Sequence, residues 1–151
     1  MTMTSKKKSE LIEQEVEKIF NIFIVDDDIS VLELYKKICE ILGLNIIDIA
    51  KDGEEAVRKF RKFITKPDLI VMDYHMPCKN GLEATQAILE IDETAKIVII
   101  SGDPIIKQKA LASGAICFKK KSFNVIKLKK QLNFFKKKAC VRNGLYKIKT
   151  S

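Results

Sequence analysis

The chain of 151 residues has no tryptophan, one histidine, three prolines and six glycines. No apolar run approaches the roughly 18 residues needed to cross a membrane, and the start lacks the apolar core of a signal peptide. The longest apolar stretches, such as Ile97 to Ile100, have the length of a strand and belong to a core. The four cysteines, Cys39, Cys78, Cys117 and Cys140, form no C-x-x-C pair. That spacing speaks against a zinc cage and gives a disulfide framework little support, so the expected compartment is reducing: the cytoplasm. There is no Gly-rich loop of the kind that cradles phosphates, which counts against a flavin enzyme. No internal repeat is visible.

The most informative absence is negative charge. None of the 20 acidic residues lies beyond Asp103, whereas 14 of the 28 basic residues do. The net charge is therefore −6 up to Asp103 and +14 after it. Most of those lysines are expected to be solvated on helix surfaces. Together they present a cationic face suited to an acidic partner or a polyanion.

What is present reads as one globular domain, with 46% hydrophobic residues. Residues 1–20 form an extension, in which Ile12, Val16, Ile19 and Phe20 recur at helical spacing and predict a short amphipathic helix. Apolar runs at Asn21–Val25, Asn45–Ala50, Asp68–Asp73, Lys96–Ser101 and Ala115–Lys119 predict strands. Between them, helices are expected at Ile29–Leu42 (stopped by Gly43), Asp52–Ile64, Gly81–Ile91 and Pro104–Ser113. A last helix takes Asn124 as N-cap and turns Val125, Leu128, Leu132 and Phe135 inward. Five β-α units imply a parallel sheet covered by helices on both faces, over residues 21–137. A basic tail occupies 138–151, where Asn143-Gly144 between Cys140-Val141 and Leu145-Tyr146 leaves a small hairpin open, a flexible tail being preferred.

In open α/β sheets, ligand sites lie beyond the carboxyl ends of the strands. The first strand there runs into Asp26-Asp27-Asp28, the third ends in Asp73, the fourth in Ser101-Gly102-Asp103, and the fifth meets Lys119-Lys120-Lys121. Carboxylates gathered at one crevice repel unless a cation sits among them, and a hard oxygen-seeking ion such as Mg²⁺ suits them. A lysine and a hydroxyl opposite could then neutralise and hydrogen-bond a transferred phosphoryl group.

Phe23-Ile-Val-Asp-Asp27, Asp68-Leu-Ile-Val-Met-Asp73-Tyr-His-Met-Pro77, the Asn80-Gly81 turn, Ile99-Ile-Ser-Gly102 and Lys121 resemble the receiver domain of two-component response regulators, chemotaxis regulators included. The resemblance spans about Asn21 to Lys137 and implies a flavodoxin-like doubly wound sheet in the order 2-1-3-4-5. It implies Asp73 as phospho-acceptor toward a phosphohistidine, and Asp27, Asp73 and the His75 backbone carbonyl as Mg²⁺ ligands, with Asp26 holding metal-bound water. Ser101 matches the switch hydroxyl, Lys121 the lysine that pairs with the phosphoryl group, and Gly102 a position lining the entrance with its backbone N–H. The implied protein is a regulator that catalyses only its own phosphorylation and dephosphorylation, fed by a sensor histidine kinase or a histidine phosphotransfer protein. No output domain is recognisable, so a stand-alone receiver is expected to signal by partner binding at its fourth helix, fifth strand and fifth helix.

Two residues depart from the family pattern. Ser122 stands where a proline usually follows the lysine in a cis peptide; cis before a non-proline costs roughly 2.5–4 kcal/mol, leaving a trans or a strained bond. Phe118 replaces a tyrosine that swings with the switch hydroxyl and cannot make its outward hydrogen bond. Lys121 is placed among the three lysines by counting from Gly114-Ala115 and by Phe123. Of the three aspartates, Asp28 is assigned to capping the next helix. His75 is read as a partly exposed loop residue and Cys117 as a small core residue. The rival readings are a phosphorylation-independent pseudo-receiver, against which the complete Asp-Asp, Asp, Ser, Lys set argues, and a basic nucleic-acid-associated module. The latter lacks interleaved aromatics and a reading motif, so it ranks lower.

Overall fold

The computed structural model describes residues 19–142 and the isolated Ser5. Of the helix expected through Ile12, Val16, Ile19 and Phe20, only Ile19 and Phe20 are described, and neither is helical; the Asn143-Gly144 turn lies outside the described residues. Strands and helices alternate: β1 (Asn21–Val25), α1 (Ile29–Leu42), β2 (Asn45–Ala50), α2 (Gly53–Lys62), β3 (Leu69–Asp73), α3 (Gly81–Ile91), β4 (Ile97–Ser101), α4 (Ile106–Ala112), β5 (Cys117–Lys120) and α5 (Val125–Arg142). All four strand pairings are parallel, in the order β2-β1-β3-β4-β5, so strand order reverses about β1 and opens a crevice at the carboxyl ends of β1 and β3.

The period-2 alternation of each strand feeds two separate cores. Ile22, Ile24, Leu69, Val71, Val98 and Ile100 pack on one face against Leu32, Tyr35 and Ile38 of α1 and Leu128, Leu132 and Phe135 of α5. Phe23, Val25, Ile70, Met72, Ile97 and Ile99 pack on the other against α2, α3 and α4, through Phe60, Ile88 and Ile106 among others. Apolar on both sides, β3 and β4 are buried along their whole length. Local chemistry sets the helix ends. Asp28 caps α1, accepting from the Ser30 N–H at 2.9 Å; Asn80 and Glu83 form a capping box on α3; Asn124 accepts from the Ile126 N–H at 2.9 Å. Gly43 ends α1 at a φ of 68°, in the left-handed region open to glycine.

Three sequence expectations are corrected. Val125 does not face inward but is 45% exposed, because α5 starts past the carboxyl end of β5 with no strand beneath its first turn. Helix α5 also continues past Lys137 to Arg142, its buried stripe extended by Ala139. Cys140 and Val141 are therefore helical, which removes the first arm of the hairpin. α4 starts at Ile106 rather than Pro104, since the Asp103 carboxylate accepts the Ile105 N–H at 3.0 Å and holds a turn there. Every described peptide is trans, Lys121–Ser122 included. Among the described residues, no helix is long and apolar enough to cross a membrane.

Candidate functional site

The crevice is built by strands that end in charge. Beyond Val25 the chain stays tied to the sheet, because the Asp26 N–H donates to the Ala50 carbonyl at 3.0 Å. Asp26 is thereby buried, its Oδ1 accepting from the Asp28 N–H at 2.9 Å. Asp27, the next residue, is exposed, and Asp28 turns away to cap α1. Asp73 is the last residue of β3 and is buried at 4% exposure. One oxygen from each of Asp26, Asp27 and Asp73 falls within 4.8 Å of the other two, close enough to share one cation. Hard carboxylate donors at the mouth of an open crevice, with two of three buried, fit Mg²⁺.

Lys121 closes the far side. Its N–H donates to the Ser101 carbonyl at 2.9 Å, continuing the β4–β5 ladder. Its Nζ then lies 3.1 Å from Asp26 Oδ2 and 3.2 Å from Asp73 Oδ2, bridging both. Ser101, the last residue of β4, is fully buried, and its Oγ accepts from the Asp103 N–H at 3.1 Å. Gly102 is exposed beside it, with open space where a side chain would be. His75 is exposed, its ring edge-on to Tyr74 at 4.6 Å. The structure thus brings Asp26, Asp27, Asp73 and Lys121 together, puts Ser101 and Gly102 at the end of the adjoining strand, and leaves the His75 side chain outside the cluster.

Electrostatics mark the same residues. Burial, reinforced by Asp26 and only partly offset by Lys121, pushes the Asp73 carboxyl from 3.8 up to about 6. Burial also raises Asp26, against the Asp28 N–H and the Lys121 ammonium, which pull it down. For Lys121, burial favours the neutral amine, but the two carboxylates outweigh it and hold the ammonium above its ordinary range. Two raised acids around one lysine describe a site short of positive charge, which a bound cation would supply. A carboxylate nucleophile beside a cation site, a lysine and a hydroxyl has the parts for accepting a phosphoryl group.

Two supports escaped the sequence reading. Gly81 appeared only as a turn residue, yet a Cβ there would strike the Asp73 carbonyl, and its N–H donates to the Tyr74 carbonyl at 2.9 Å. It ties the 74–80 connection shut against Asp73. Tyr35, inside the helix expected at Ile29–Leu42, carried no functional reading there, whereas burial and the nearby Asp26 and Asp73 charges drive its phenol above its ordinary range. The sequence signal for Gly81 is its place directly after an N-capping asparagine; for Tyr35 there is none.

Comparison with known proteins points to one family. The family model of the response regulator receiver domain matches residues 22–133. Chemotaxis protein CheY of Thermotoga maritima is 34% identical over 114 residues, covering 74% of this chain and 93% of that protein. CheY of Treponema pallidum is 37% identical over 98 residues, 64% of this chain and 68% of that protein. Among solved structures, the CheX–CheY–BeF₃–Mg²⁺ complex from Borrelia burgdorferi superposes with a TM-score of 0.69 at 33% identity, over 75% of this chain and 86% of that one. The T. maritima response regulator TrrA in complex with Mg²⁺–BeF superposes with a TM-score of 0.68 at 31% identity, over 78% and 99%.

Proposed function

Since the chain belongs to the response regulator receiver domain family of two-component signalling, we propose that it is a phospho-accepting switch that takes a phosphoryl group from a phosphohistidine onto Asp73 with the help of Mg²⁺. The observation that carries this reading is the buried Asp73 carboxylate within reach of Asp26, Asp27 and the Lys121 ammonium. An Asp73 oxygen attacks phosphorus, the P–N bond breaks, and the imidazole nitrogen leaves with the bonding pair. Bound Mg²⁺ would neutralise charge on the phosphoryl oxygens, and Asp27, Asp73 and the His75 carbonyl would hold it, with Asp26 acting through water. The Lys121 ammonium then exchanges its contact with Asp73 for the new phosphoryl charge. The Ser101 hydroxyl, which accepts the Asp103 N–H, keeps its own proton to donate to a phosphoryl oxygen. The Gly102 N–H adds a donor at the entrance.

The donor is a sensor histidine kinase or a histidine phosphotransfer protein, and the compartment is the cytoplasm, where thiols such as the free Cys39, Cys78, Cys117 and Cys140 persist. Output goes through the α4–β5–α5 face to an acidic protein partner. Leu111 and Phe134 are each 44% exposed there, and Lys119 and Lys138 sit 4.7 and 5.8 Å from the Phe134 ring centre. No acidic residue follows Asp103, so two copies of this face repel and a carboxylate-bearing partner is attracted. Nucleic-acid affinity through the same lysines should be weak, indifferent to sequence and steeply reduced by salt.

Intact-mass measurement after incubation with a small acyl phosphate, with and without Mg²⁺, tests the reading. One added phosphoryl group is expected in wild type with Mg²⁺ and none in Asp73→Asn; equal labelling of the two would sink the assignment.

A further inference from the structure

Away from the aspartate cluster lies a concavity that the receiver chemistry does not use. An open cavity of about 650 Å³ lies between the outer face of α2 and Lys79 of the β3–α3 connection, with Val57 in its wall. Three carboxylates and four bases line it, and two of the carboxylates are partly engaged by the fold. Asp52 caps α2, its Oδ1 accepting the Glu55 N–H at 2.7 Å. Glu55 spends Oε2 on the Lys51 N–H and Oε1 on Lys59, each at 3.1 Å. Glu54 and the second oxygen of Asp52 remain as acceptors.

The bases are less engaged, although Arg58 lies near enough to Glu55 to help hold its carboxyl below the ordinary range. Among the described residues, Arg58, Arg61, Lys62 and Lys79 make no ion pair with any carboxylate. Arg58 stands three and four positions from Arg61 and Lys62, so three cations crowd one helix face, a spacing at which like charges destabilise. Complementing the C-terminal dipole of α2 accounts for Arg61 and Lys62. It does not account for Lys79, which arrives from another element and lines the same cavity.

We propose that this cavity binds a nucleotide: a multiply charged phosphate chain on Arg58, Arg61, Lys62 and Lys79, the base against Val57, and a sugar or base hydrogen on Glu54. Paired arginines offer the planar forks that phosphate oxygens match. The volume lies within the range of small-molecule sites. The binding site goes beyond the phospho-acceptor reading and does not depend on it. The two walls are in contact: Gly53, the first residue of α2, packs so closely beneath Lys79 that a Cβ would strike the Lys79 carbonyl. An occupant is therefore coupled to the connection that carries Asp73 into α3.

Amide ¹H–¹⁵N NMR titration of the full chain at physiological salt tests the site, with ATP as the probe and inorganic triphosphate and adenosine as comparators. Mg²⁺ is left out so that no phosphate is carried into the aspartate pocket. Saturable ATP shifts confined to α2 and residues 77–81 are expected, with triphosphate and adenosine each binding more weakly than ATP. Arg58 and Arg61 are exposed, so Arg58→Gln/Arg61→Gln should keep a dispersed spectrum and lose at least tenfold in affinity. Shifts confined to the Asp26–Asp73 pocket or to the α5 lysines, no saturation, or unchanged affinity in the double variant would overturn the site. Triphosphate binding as tightly as ATP would overturn the nucleotide assignment.

Discussion

The two ends of the parallel sheet use the same residue types for opposite ends. At the amino end, Asp68 accepts the Asn21 N–H at 2.8 Å and returns its own N–H to the Asn21 carbonyl at 2.8 Å, while the Asn45 amide donates to the Asn21 side chain at 2.9 Å. Its carboxylate closes a hydrogen-bonded clamp between β1 and the start of β3. At the carboxyl end, Asp26 and Asp73 are buried beside each other with Lys121 shared between them, and both acids are harder to ionise than usual. A carboxylate that accepts a backbone N–H at a strand end helps to hold a fold together. Carboxylates crowded without enough positive charge hold a site in readiness, at a cost in stability.

The largest effect that would sharpen this contrast is the pH dependence of the metal-free protein. The folded-state pKa of Asp73 is raised from 3.8 to about 6, so between those values the folded chain binds a proton that the unfolded chain has released. This group therefore stabilises the fold most below pH 4, and that contribution is lost as pH rises through 6, on the order of 3 kcal/mol in all. The raised Asp26 acts in the same direction. Asp73→Asn should thus be more stable than wild type near pH 7 and lose most of the slope, and added Mg²⁺ should flatten the wild-type curve. Urea unfolding from pH 4 to 7.5 measures it; a difference between wild type and variant that does not change with pH would break the comparison.

A smaller effect separates the two neighbouring aspartates. Asp27→Ala should weaken Mg²⁺ binding by about tenfold, roughly 1.4 kcal/mol, and by more than Asp26→Ala does, because Asp27 is assigned the direct bond. Titration of Mg²⁺ followed by NMR decides between them; wild-type affinity in Asp27→Ala refutes the ligand set. Smallest is the change at the amino end. Asp68→Ala should cost about 1 kcal/mol of stability by removing the carboxylate partner of the Asn21 N–H, and leave phosphoryl acceptance unchanged. Loss of labelling in that variant would mean that the two ends are not separable.

Much of the pocket was legible because charge interrupts apolar strands abruptly. A run such as Leu-Ile-Val-Met that stops at Asp73 gives both a buried strand and an acid at its carboxyl end, and the parallel topology then gathers those ends. Asp28 as the α1 cap followed from local hydrogen bonding alone, and the structure agrees. What could not be read depends on packing across elements. That Lys121 touches Asp26 and Asp73 together requires the β4–β5 ladder to set its height; the Gly81 contact with the Asp73 carbonyl is a distance between backbones. Val125 misled because a 3.6-residue stripe says which face turns inward but not where the sheet beneath it ends. Ala139 extends the same stripe past Lys137, in a run of lysines whose composition suggests a solvated tail.

The central claim is that Asp73, and no neighbouring acid or His75, receives the phosphoryl group. Borohydride reduction of the phosphorylated protein converts an aspartyl phosphate to homoserine, and tandem mass spectrometry locates it. Homoserine at position 73 alone, formed only when Mg²⁺ was present during labelling, is the expected result. Homoserine at 26 or 27, or a phosphoryl group retained on His75, would contradict it.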